Sequence, residues 1–184
     1  RGPDARAVLD RLLQPFRGFE AHFLRGNHDQ AVLDFLADPA IYRTWKTYGA
    51  RETLQSYGLK IPKFDNPSAI NELHAQFISA LPKEHRELLE RLEHFWVHGD
   101  YFAVHAGIRP GNDLSSQNLK DLLWIRDDFL DSDDLFEKVI IHGHTPAPLP
   151  VQRANRIGID TGAYATGRLT AIVLEGALRR FLNT

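Results

Sequence analysis

The sequence predicts an α/β fold, and three observations carry that expectation. Short apolar runs at 19–24, 101–104 and 139–141 each lead into an Asn or His set beside a glycine. Between the first and the second lies a block, 40–94, whose apolar residues recur at helical spacing. After it the chain alternates β-rich runs with glycine turns, the pattern of a sheet rather than a bundle. One α/β domain over 1–184, with 40–94 as a helical cap inserted between strands, is the simplest organisation.

The elements follow in order. Pro3 or Asp4 opens a helix over 5–14, with Ala7, Val8, Leu12 and Leu13 at helical spacing; Pro15 and Gly18 end it. A strand is expected at 19–24 and a helix at 30–36, stopped by Asp38-Pro39. Trp45, Tyr48, Leu54 and Tyr57 form an aromatic-rich patch around Gly49 and Gly58. Helices are expected at 69–81 and from Pro82 to about Leu92, the second burying Leu88, Leu89 and Leu92 while Glu84, Glu87, Glu90 and Arg91 face water. Gly99-Asp100 reads as a two-residue hairpin turn between the runs 95–97 and 101–104. A helix over 119–130, then strands at 138–141, 155–160, 169–174 and 179–182, complete the chain.

Composition narrows the function classes. A chain of 184 residues can bury a substantial core. Its net charge of −2, without a long basic run, argues against a nucleic-acid or membrane-surface binder. No apolar run approaches the ~20 residues of a membrane span. With no Cys, any metal must be held by N and O donors, which points to Mn, Fe, Zn or Mg, and the reducing cytoplasm is the expected compartment.

Gly26-Asn27-His28-Asp29 gathers an amide oxygen, an imidazole and a carboxylate at one backbone corner. His105-Ala106-Gly107 and Gly143-His144-Thr145 close two further strands in the same manner. The repetition suggests a metal site built by loops at one edge of a sheet. Singly, each has a plain structural reading: Asn27 as a helix cap, His105 as a strand-end residue, His144-Thr145-Pro146 as turn chemistry. His142 reads as flanking, with a site role left open. His22, His74, His85 and His94 are expected to carry no chemistry, His98 to be a strand or hairpin residue, Asp160 to support the loops, and Trp45, Trp96 and Trp124 to pack in core or cap.

In order, Arg1-Gly2, the Asn-His turn, His105-Ala106-Gly107 and Gly143-His144-Thr145 resemble the calcineurin-like metallophosphoesterases. Within that family the chain is most similar to bacterial Ser/Thr protein phosphatases and symmetrical diadenosine tetraphosphate hydrolases. Leu122-Leu123-Trp124-Ile125-Arg126 and Ile159-Asp160-Thr161-Gly162-Ala163 extend the resemblance over the whole chain. It departs in two places. The opening motifs Gly-Asp-x-His-Gly and Gly-Asp-x-x-Asp-Arg-Gly are missing, Arg1-Gly2 resembling the tail of the second, and Asp29 stands where the family more often has Glu.

The resemblance implies a metallophosphoesterase-type central β-sandwich flanked by helices, with a helical cap insertion and without its first strands. It implies two divalent metal ions, Mn foremost with Fe, Zn or Ni as alternatives, the second held by Asn27, His105 and His144. His28 would be the general acid, Arg1 a phosphoryl contact and Arg126 a second, although Arg126 could equally pair with Asp127, Asp128 or Asp131. The implied reaction is direct attack of a metal-bridging hydroxide on a phosphate ester, most of all phosphoserine or phosphothreonine in a phosphoprotein. A nucleotide substrate, diadenosine tetraphosphate, is the enzyme alternative, and a half-site that only binds metal or phosphate is the third reading.

Overall fold

The computed structural model describes residues 1–184, which divide into two compact units: Arg1–Ala21 with His28–Leu92, and His22–Asn27 with Glu93–Thr184. No helix is long and apolar enough to cross a membrane.

The first unit is helical. Helix α1 (Ala5–Leu12) starts where Asp4 accepts a hydrogen bond from the Ala7 amide, satisfying one of the donors a helix start leaves open. Helix α2 (Asn27–Ala37) contributes its residues from His28 onward. A 3-10 turn (Pro39–Ile41) leads into α3 (Tyr42–Trp45) and α4 (Ala50–Ser56). Helix α5 (Pro67–Ala80) is capped by Asn66, and α6 (Lys83–Arg91) follows. The unit's core is aromatic: Phe35 lies within ring-contact distance of Tyr42, Trp45, His74 and Phe77. His85, which sequence alone left without a task, is buried between the Tyr57 hydroxyl at 2.8 Å and Asp10 at 3.0 Å. It ties α1 and α4 to α6 with both ring nitrogens satisfied.

The second unit is a mixed α/β layer around a five-stranded sheet ordered β1-β2-β3-β5-β4. The hairpin of β1 (Phe95–His98) and β2 (Tyr101–Val104) turns at Gly99-Asp100 with His98 opposite Tyr101. Strand β2 pairs parallel with β3 (Val139–His142), and β3 parallel with β5 (Arg156–Gly158); β4 (Val151–Gln152) is a short antiparallel edge. Parallel neighbours need a crossover, and the segment between β2 and β3 supplies α7 (Leu119–Trp124) and α8 (Asp127–Leu130). Leu122 of α7, Ile125 just past it and Phe129 of α8 share one core with Phe102, Val104 and Ile140. After β5 come α9 (Ala163–Thr166) and a two-stranded antiparallel sheet, β6 (Thr170–Glu175) with β7 (Leu178–Asn183).

Two expectations are corrected. No strand forms over 19–24: Phe19 is 82% exposed, and only Leu24 makes a bridge, to Glu93. A strand needs a neighbour to take its amides and carbonyls. Here the partner offers one residue before β1 turns to β2. The expected helix over 119–130 is broken at Ile125–Arg126, where Arg126 adopts φ −134 and ψ −102. The break has a physical reason. Arg109 holds both Asp121 on α7 and Asp128 on α8. On a straight helix those residues would stand ~10 Å apart along the axis, beyond one guanidinium; the corner closes that gap.

Candidate metal centre

Strands β2 and β3 are parallel neighbours, so their C-terminal ends emerge at the same sheet edge. His105 follows β2 and His144 follows β3. The ladder continues one step past the strands, with the Gly143 amide donating to the His105 carbonyl at 2.9 Å. On the segment 22–27, the Arg25 amide donates to the Glu93 carbonyl at 2.7 Å, anchoring the approach to Asn27. Three side chains then converge: His105 Nε2 lies 2.9 Å from Asn27 Oδ1 and 3.1 Å from His144 Nδ1. Asn27 is buried and the two imidazoles half-buried.

His144 is the one non-glycine residue with a left-handed backbone, φ 65. Such a conformation costs roughly 1–2 kcal/mol in a residue with a Cβ. It is held from both sides: the Thr145 amide donates to the Gly143 carbonyl at 2.7 Å and the Ala147 amide to the Asp160 carbonyl at 3.0 Å. Asp160 also accepts from the Gly162 amide at 2.8 Å, joining the loops at 143–147 and 160–162.

The donor set fits a cation. Asn27 Oδ1 and His144 Nδ1 both face His105 Nε2, and a neutral imidazole has one proton to share at most. The two donor separations, 2.9 and 3.1 Å, match edges of a coordination shell with bonds of ~2.1 Å. Burial, together with the nearby Arg126 charge, lowers the His144 pKa to about 4, so the ring is neutral at pH 7, as a ligand must be. No group of three His, Asp or Glu side chains is placed to hold a metal; the third donor here is the Asn27 amide.

Arg126, exposed, donates from Nη1 to Thr145 Oγ1 at 3.1 Å, beside the trio, and pairs with none of Asp127, Asp128 and Asp131. Trp124, expected in packing, is 40% exposed, its ring edge-on to His144 at 5.8 Å. His142 is buried, edge-on to Phe129, and packs where a Cβ on Gly158 would come within 3.2 Å of its ring; burial lowers its pKa to about 4. Gly107 permits another close approach, since a Cβ there would sit 2.3 Å from the Phe129 ring.

His28 and Arg1 belong to the first unit and meet around Gly49, whose φ is +136. A Cβ on Gly49 would lie 3.1 Å from His28 Nδ1 and 3.7 Å from Arg1 Cγ. Both line a cavity of about 120 Å³ with Asp29, Thr53 and Tyr57. Tyr48 lies edge-on to His28 at 5.5 Å. Sequence reasoning missed Arg109 and Thr145. Arg109 lies two residues past Gly107 and reads as loop charge, and only the tertiary fold brings Asp121 and Asp128 to it.

A crystal structure described as a "putative diadenosine tetraphosphatase" is 16% identical with a TM-score of 0.58, covering 96% of this chain and 71% of its own. A metallophosphoesterase from Sphaerobacter thermophilus is 18% identical with a TM-score of 0.50, covering 100% of this chain and 72% of its own. These likenesses establish the fold. No curated protein matches the sequence significantly. The model of the calcineurin-like phosphoesterases matches residues 1–172, nearly the whole length. The chain therefore belongs to the calcineurin-like phosphoesterase family, a family of hydrolases.

Proposed function

We propose that this protein hydrolyses phosphate monoesters with divalent metal, and that its substrates are phosphoserine and phosphothreonine in proteins. The observation that carries the metal-dependent reading is the Asn27–His105–His144 trio, with donor atoms 2.9 and 3.1 Å apart, two of them just past the parallel strands β2 and β3 and the third after the bridged segment 22–27. Divalent ions bound there would supply positive charge against the phosphoryl oxygens and acidify water at neutral pH.

The chain's own residues supply the rest. Asn27 Oδ1, His105 Nε2 and His144 Nδ1 would hold the metal. Arg126 offers a fork of N–H donors to a phosphoryl oxygen, the geometry in which arginine exceeds lysine. His28 donates the proton to the leaving ester oxygen. The bond from water oxygen to phosphorus forms as that water gives up one proton to solvent, the ester P–O bond breaks, the departing alcohol carries the proton from His28, and His28 is reprotonated from solvent. Water is the nucleophile, so solvent oxygen label enters phosphate in a single turnover; label-free phosphate would exclude that route.

The test is hydrolysis of a phosphothreonine peptide with Mn²⁺. His28→Ala and His144→Ala each lower the rate by ~10²–10⁴, and His144→Ala also lowers bound Mn²⁺. Wild-type rates in both variants would overturn the assignment. Symmetrical cleavage of diadenosine tetraphosphate is the second reading, favoured by the structural neighbour that carries that description. It prevails if the dinucleotide is cleaved and the phosphopeptide is not.

A further inference from the structure

Arg126 lies among carboxylates in sequence: Asp127 and Asp128 follow it directly, and Asp131 closes the same helical turn. An exposed arginine in that position would ordinarily be taken by one of them. Instead, Arg109 takes Asp128 through Nη1 and grips Asp121 through Nη2 at 2.7 Å and Nε at 3.2 Å. Asn118 donates to the same Asp121 carboxylate and also caps α7. Asp121 is buried, and its pKa is lowered by the hydrogen bonds from Arg109. The pairing needs the corner at 125–126, and the corner ends with Arg126 donating to Thr145, the residue after His144.

We propose that Arg109 and Thr145 are positioning residues for Arg126. Arg109 removes Asp128 as a competing partner and fixes the α7–α8 corner. Thr145 turns the guanidinium toward the Asn27–His105–His144 trio and leaves its other N–H donors for a phosphoryl oxygen. The inference rests on the phosphoesterase reading and assigns how that site keeps a free cation beside a row of acids.

The experiment measures inorganic phosphate binding to the Mn²⁺-loaded full chain by calorimetry, with KM and kcat on the phosphopeptide alongside. Arg109→Ala weakens phosphate binding about tenfold, the scale of one charge-assisted hydrogen bond, and raises KM more than it lowers kcat. Asp128→Asn in the Arg109→Ala background restores binding to within about threefold of wild type, a rescue that a purely structural clamp would not show. Arg109→Lys, too short and compact to hold both carboxylates, moves in the direction of Arg109→Ala and serves if the alanine variant does not fold. Thr145→Val weakens phosphate binding and Thr145→Ser keeps it. Unchanged affinity in Arg109→Ala and Arg109→Lys, or a double variant no better than the single, would overturn the proposal. A wild-type chain that hydrolyses esters while the rescue fails sinks this inference alone; one that neither binds phosphate nor hydrolyses any ester sinks the functional reading with it.

Discussion

At the scale of single residues, two neighbouring imidazoles on one strand end have opposite surroundings and a common titration. His144 belongs to the donor trio; His142, the last residue of β3, is 4% exposed and lies against Phe129 and Gly158. Desolvation lowers the pKa of both to about 4. An imidazole that loses basicity on folding favours the unfolded chain wherever only the unfolded form is protonated. Its burial is therefore tolerated above the ordinary value near 6.5, costs stability as pH falls, and reaches its full cost below about 4. For His142 that cost is about 3 kcal/mol. His142→Leu should flatten the pH dependence of stability, losing about one proton's worth of slope between pH 6.5 and 4. Urea midpoints at pH 7, 5.5 and 4.5 check this; an unchanged slope would place the pH dependence elsewhere.

At the scale of elements, most of the fold was legible where a local signal coincided with packing. Gly99-Asp100 set the hairpin because a two-residue turn also fixes the register, His98 opposite Tyr101. Helix α6 was readable from Pro82 at its start and from Leu88 and Leu89, which are buried, while α5 begins two residues before the expected start because Asn66 caps it. The losses fell where tertiary partners decide. Phe19 carries strand propensity without a neighbouring strand. Arg126 sits in a helical pattern that Arg109 bends, and β4 is too short to announce itself. Gly107 shows the same limit from the other side, because its purpose is visible only once Phe129 is placed. That ring is fully buried in one core cluster with Val104, Ala106, Ile108 and Ile140. Gly107→Ala should destabilise the fold by about 1–3 kcal/mol, the range for overpacking a tight core. Adding Phe129→Leu should recover part of that loss, whereas strict additivity of the two changes would show that the ring contact is not the cause.

At the scale of the whole molecule, composition excluded more than it identified. The absence of Cys left nitrogen and oxygen donors, and a net charge of −2 without a long basic run argued against a nucleic-acid or membrane-surface partner. The three donors lie 78 and 39 residues apart in sequence, joined only by the parallel pairing of β2 with β3 and by the anchored segment before Asn27. Sequence could nominate them because each is an Asn or His within two residues of a glycine, two of them just past an apolar strand. It could not give their spacing, which is a property of register. A metal that binds three donors brought together by folding binds the folded chain and not the unfolded one. Added Mn²⁺ should therefore raise the thermal midpoint with a logarithmic dependence on concentration, reaching about 2.7 kcal/mol at a hundredfold excess over Kd. EDTA should return the midpoint to its metal-free value. Asn27→Ala and His105→Ala should each abolish most of the Mn²⁺ response. His98→Ala, on a strand outside the trio, should retain it. Scanning calorimetry with and without Mn²⁺ decides the matter without any assay of turnover: a shift that survives loss of Asn27 or His105 would mean that the ion is held by other groups.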